Sequence, residues 1–134
     1  LPVVIIGDAT GKAGQRAAMG RSDYSIIEEI FTSAQIPFVN RTPDSNPQVR
    51  DRVNVVNSKL RAADGTVHFW LNPNTCPRLK RDLQRVAWKQ GLSEKLDQTT
   101  DPTLTHLSDA AGYMVCGLSK LWQPKVSPMR VLVR

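Results

Sequence analysis

Apolar positions along the chain switch between two periods. Val3-Val4-Ile5-Ile6 is an unbroken apolar run of strand length, and it predicts a buried strand over residues 2–7. After Ser22-Asp23 the apolar residues recur at helical spacing: Ile26, Ile27, Ile30, Phe31 and Ala34 share one face, with Ser25 and Glu28 as a capping pair. Ile36–Arg41 reads as a second short strand. Asn46-Pro47 then supplies a cap followed by proline at the first helical position. The helix it opens repeats Val49, Val53, Val56 and Leu60 inward.

The second half continues the alternation. Asp64-Gly65 is a turn and Thr66–Leu71 the next predicted strand. Pro77 opens a helix with Leu79, Leu83 and Val86 inward, and residues 91–102 form a polar loop. The last long helix is predicted over Thr105–Trp122, with Leu107, Ala111, Met114, Leu118 and Leu121 inward. Residues 1–122 read as one domain. Residues 123–134 are a tail holding Pro124, Pro128 and a β-like stretch at Met129–Val133. Strands alternating with helices predict an α/β domain with some parallel pairing.

Composition narrows the partners. Of 134 residues, 18 are Lys or Arg and 12 are Asp or Glu, so the net charge of +6 suits a partner made of phosphates. No apolar stretch approaches the roughly 20 residues of a membrane helix. Aromatic content of 6% argues against base stacking on single strands and for backbone contact to duplex. Cys76 and Cys116 lie far apart, so they read as two buried, reduced thiols of a cytosolic protein, with a structural disulfide as the alternative, and the lack of any CxxC gives a zinc site no support.

Two acids carry the candidate chemistry. Asp8 ends the first apolar run, and the carboxyl end of a central strand is where open α/β sheets place ligands. A helix-cap or turn aspartate reads equally from the same residues. Asp109 falls in the middle of the last predicted helix, where aspartate has poor propensity. Ala110, Ala111 and Gly112 beside it suggest close packing; a solvated face is the plain alternative. Two carboxylates converging on one point repel, and a bound Mg²⁺ or Mn²⁺ is the usual resolution. Gly7-Asp8-Ala9-Thr10-Gly11-Lys12-Ala13 is not a Walker A loop. It has three residues between its glycines instead of four, and Ala13 lacks the hydroxyl that ligands magnesium.

Lys12, Arg16 and Arg21, on a loop after Asp8, are candidate phosphate contacts, or simply a solvated loop. The helix from Asn46 carries Arg50, Asn54, Asn57 and Arg61 on one face with Arg52 and Lys59 adjacent, a candidate DNA stripe or a wet surface. The helix from Pro77 carries Arg78, Arg81, Arg85 and Lys89 in the same way and is the weaker candidate of the two.

With those residues laid out, the chain resembles the C-terminal nuclease domain of the large terminase subunit of tailed bacteriophages and prophages. The matching stretches are Ile6–Gly11, Ser22–Ile27, Asn46-Pro47-Gln48-Val49-Arg50-Asp51-Arg52-Val53-Asn54-Val55-Val56-Asn57 and Thr105-His106-Leu107-Ser108-Asp109-Ala110-Ala111-Gly112-Tyr113, in the family's order. The resemblance implies an RNase H-like nuclease fold and a metal-dependent endonuclease that cuts concatemeric double-stranded DNA for packaging. Asp8 and Asp109 would be the second and third acids of its metal site, holding Mg²⁺ or Mn²⁺. His106 would orient Asp109 or the attacking water, though a packed histidine at a helix start reads as well.

Further partners implied are the terminase small subunit and the portal protein, in the cytoplasm of a bacterial host. The family carries a first acid on a strand before the one ending in Asp8, and no other acid here ends an apolar strand. The resemblance therefore implies a nuclease fold incomplete on its N-terminal side, feeble or inactive as an isolated chain. The alternatives are a non-catalytic duplex-binding fragment or vestigial prophage protein, and a junction resolvase of the same fold, which the Asn46–Asn57 stretch does not suit.

Overall fold

The computed structural model describes residues 1–14, 19–92, 95–99 and 101–119. They form a small α/β protein of four α-helices and a two-stranded parallel sheet. Contacts cluster into two units that divide between Asn46 and Pro47, within the stretch expected to be one domain. No described helix is long and apolar enough to cross a membrane.

The first unit is a strand–helix–strand crossover. β1 (Val3–Ile5) pairs in parallel with β2 (Phe38–Asn40), Val3 opposite Phe38 and Ile5 opposite Asn40. Between them runs α1 (Asp23–Ser33). Its start is closed by a capping box, but not the expected Ser25–Glu28 pair: three residues earlier, Ser22 accepts from the Ser25 amide while the Ser25 hydroxyl accepts from the Ser22 amide. Both strands are three residues long, shorter than expected. Ile5 is buried, whereas Val3 and Val4 stand exposed, so β1 is not the fully buried strand its run of β-branched residues predicts. Phe31 of α1 meets Phe38 of β2 with ring centroids 5.7 Å apart.

The second unit is helical. α2 (Val49–Leu60), α3 (Pro77–Arg85) and α4 (His106–Leu118) pack with α4 against both of the others. The core is Val56, Leu104, Ala111, Val115 and Cys116. Asn46-Pro47 is not the cap of α2. The helix begins two residues later with Gln48 at the N-cap position, and Asn46 is engaged elsewhere.

Thr66–Leu71 forms no strand. His68 and Phe69 both donate their amides to the Lys59 carbonyl at the end of α2, so the segment is tied to a helix terminus instead of a ladder. The inward face of α4 is also rotated from the expected one. Leu107, Met114 and Leu118 are exposed, and the small residues Ala111, Gly112 and Cys116 are buried. The expectations for Leu121, Trp122 and the tail fall outside the described residues.

Both cysteines are free thiols, as expected, but only Cys116 is buried; Cys76 is exposed at the start of α3. Burial pushes the Cys116 thiol above its ordinary range, which disfavours the reactive thiolate. A thiol reagent at neutral pH should therefore label one cysteine per chain quickly, and peptide mapping should place it at Cys76. Equal labelling of Cys116 without denaturant would contradict the packing of α4.

Candidate functional site

In the first unit the segment Gly7–Gly11 is built around Tyr24 of α1. The Tyr24 hydroxyl donates to the Asp8 carbonyl at 2.8 Å. A Cβ on Gly7 would strike that hydroxyl, and one on Gly11 would sit 2.9 Å from the ring. The glycines are thus there for close approach, not for cradling a phosphate. Burial pushes the Tyr24 phenol above its ordinary range.

Asp8 follows β1 and caps a single 3-10 turn, Ala9–Lys12. One carboxylate oxygen, Oδ1, accepts from the Thr10 amide (2.8 Å), the Thr10 hydroxyl (2.8 Å) and the Asn46 side-chain amide (2.6 Å). Asn46 in turn accepts from the Ala9 amide at 2.8 Å. This is the cap arrangement the sequence offered as the plain reading of Asp8, with Asn46 as a partner sequence reasoning missed.

In the second unit Asp109 lies in the first turn of α4, not mid-helix, because the helix starts at His106. A carboxylate there is favoured by the amide dipoles at the helix start, which removes the propensity objection. Its Oδ1 accepts from the Arg52 guanidinium at 2.5 Å. Arg52 is buried, 5% exposed, and its guanidinium also lies 4.5 Å from the centre of the Tyr113 ring. A Cβ on Gly112 would come within 2.8 Å of the Arg52 side chain, so glycine at that position is what admits the arginine.

Arg52 was expected to be a DNA contact. Its charge is buried and spent on Asp109 and Tyr113, so it is corrected to a positioning residue. A signal was present in the sequence: Arg52 is three residues after Val49 and four before Val56, on the helix's inward face.

The other expected residues separate clearly. His106 is exposed on the first residue of α4. Arg50 and Asn54 are exposed on α2. Asn57, also exposed, lines a cleft of about 200 Å³ together with Arg52, Ser108, Asp109, Trp88 and Leu96. Lys12 is paired with Asp44 at 2.7 Å and Arg21 with Glu29, so neither loop cation offers its full charge to a phosphate. Arg16 lies outside the described residues.

A buried acid that sequence reasoning missed supports this site. Asp82 of α3 is 1% exposed, and its Oδ2 accepts from the Leu107 amide at 3.2 Å. The residue before α4, Thr105, makes no side-chain cap. Asp82 caps the helix that carries Asp109 from across the packing interface.

Carboxylate oxygens are the right donors for Mg²⁺ or Mn²⁺. Among the described residues, no three His, Cys, Asp or Glu side chains gather on one point. The donor type therefore fits such an ion, and the donor number falls short of a complete two-ion set. No family model matches the chain, and no curated protein or solved structure matches it either.

Proposed function

We propose that this chain is the metal-dependent DNA endonuclease domain of a phage or prophage packaging terminase large subunit, of RNase H-like fold, acting on concatemeric double-stranded DNA. Asp8 and Asp109 are the acids that bind Mg²⁺ or Mn²⁺. The observation that carries the reading is the Arg52–Asp109 ion pair. It joins the two stretches on which the family resemblance rests most heavily, Asn46–Asn57 and Thr105–Tyr113.

In this reading Arg52 and the Tyr113 ring hold the Asp109 carboxylate in one orientation, leaving it at the rim of the cleft. Asp82 fixes the helix start beneath it. His106, exposed one turn before Asp109, orients that carboxylate or the attacking water. When bound, a divalent ion supplies Lewis-acid stabilisation of the phosphodiester's developing charge. The terminase small subunit and the portal protein are the further partners, and the host cytoplasm the setting.

A second reading has a specific observation in its favour. Each acid has structural work: Asp8 caps the 3-10 turn, and Asp109 is tied to Arg52. That would suit a non-catalytic duplex-binding fragment. Nicking of supercoiled plasmid separates the two. The expected result is slow nicking in millimolar Mn²⁺ that falls to the buffer background in Asp8→Ala and in Asp109→Ala. Nicking that survives both substitutions would overturn the assignment of the acids.

A further inference from the structure

We infer that the outer face of α3, rather than α2, is the surface that grips the phosphodiester backbone of duplex DNA; this deepens the proposed function and rests on its choice of duplex as substrate. The sequence ranks α2 above α3, and the structure reverses the order. α2 loses Arg52 to the interior and carries the exposed acid Asp51 among its exposed residues.

α3 divides cleanly. Leu79, Asp82, Leu83 and Val86 occupy the covered arc, and Arg78, Lys80, Arg81, Gln84 and Arg85 the exposed one. The helix's single acid, Asp82, is buried and turned to the start of α4. What α3 presents to solvent is therefore cationic, with no acid of its own. Lys89, exposed beyond the helix end, extends the patch, though its charge also acts on Asp97. Arg81 is engaged by Asp82 at 3.5 Å and by Asp101 at 3.9 Å, and Asp101 also feels the charge of Arg85, whereas no described ion pair holds Arg78, Lys80 or Arg85.

Geometry fits a backbone. Arg78 and Arg85 are two turns apart on one face, about 10 Å along the axis at 1.5 Å per residue. A duplex carries one charge per roughly 1.7 Å of its length, so each cation on such a row finds a phosphate without base recognition.

The test compares binding of a fluorescent 30-base-pair duplex by the full chain and by two variants at several salt concentrations. Glutamine keeps helix propensity at these exposed sites, and circular dichroism checks that the variants fold. Arg78→Gln/Lys80→Gln/Arg85→Gln should weaken binding at least tenfold at low salt. Losing three phosphate contacts should also flatten the log–log salt slope by about 2–3. Arg50→Gln/Arg61→Gln, on α2 and at its C-cap, should weaken it much less. Parent-like binding by the α3 variant, or a larger loss from the α2 variant, overturns the inference. The two readings fail separately: loss of duplex binding in the α3 variant with no Mn²⁺ binding by the chain sustains this surface and removes the nuclease reading. Mn²⁺ binding with an undiminished α3 variant does the reverse.

Discussion

Arg52→Ala should cost the second unit about 2–3 kcal/mol of stability, read as a lower midpoint in urea. Removing one partner of a fully buried pair costs about 3–5 kcal/mol because the other charge is stranded. Asp109 retains some solvent, its side chain 31% exposed, which screens the stranded carboxylate and sets the lower figure. The loss includes packing as well as charge, since the arginine stem fills the space over Gly112. A double-mutant cycle isolates the pair: in an Asp109→Asn background the same substitution should cost less by about 1 kcal/mol or more. Additive costs would mean that the pair contributes nothing, and that Arg52 serves only to fill space.

Asp82→Ala is the second large effect, about 1–2 kcal/mol. The buried Asp82 carboxylate accepts from the Leu107 amide in the first turn of α4, and Thr105, the residue in the N-cap position, gives no substitute. Hydrogen exchange offers a sharper readout than the melting curve. Amides of Leu107 and Ser108 should exchange faster in the variant, while those of α2 in the middle of its helix stay protected. Unchanged protection at Leu107 would show that water replaces the carboxylate without loss.

Much of the element order was legible because helix starts and apolar periods are local. Ser22 before α1 and Pro77 at the first position of α3 both mark helix starts, and Val49, Val53, Val56 and Leu60 mark the face of α2. Asp8 was legible both ways, and the cap is what the structure contains.

The failures are non-local. Thr66–Leu71 has the alternating burial of a strand, with Val67, Phe69 and Leu71 partly covered and His68 and Trp70 exposed. What it lacks is a partner strand among the described residues, and no local pattern reports that. Asp82 looked like one acid in a basic helix; its role depends on a helix start 25 residues away. Arg52 shares the charge of its neighbours on α2 but not their phase. Its position between Val49 and Val56 turns it inward, and only Gly112 on another helix makes room for it. The same glycine explains the rotated face of α4: small residues, not Leu107 and Met114, meet α2 where the arginine enters.

The most direct measurement of the central claim is Mn²⁺ binding followed by electron paramagnetic resonance, which reads the acids without requiring catalysis. The full chain should bind Mn²⁺ and release it to excess Mg²⁺. Asp8→Ala and Asp109→Ala should each weaken that binding by about tenfold or more, equivalent to roughly 1.4 kcal/mol. Asp64→Ala, at an exposed turn remote in sequence from both acids, serves as the control and should bind like the parent. A parent chain that takes up no Mn²⁺, or acid variants that bind it as the parent does, would contradict the metal-dependent nuclease reading.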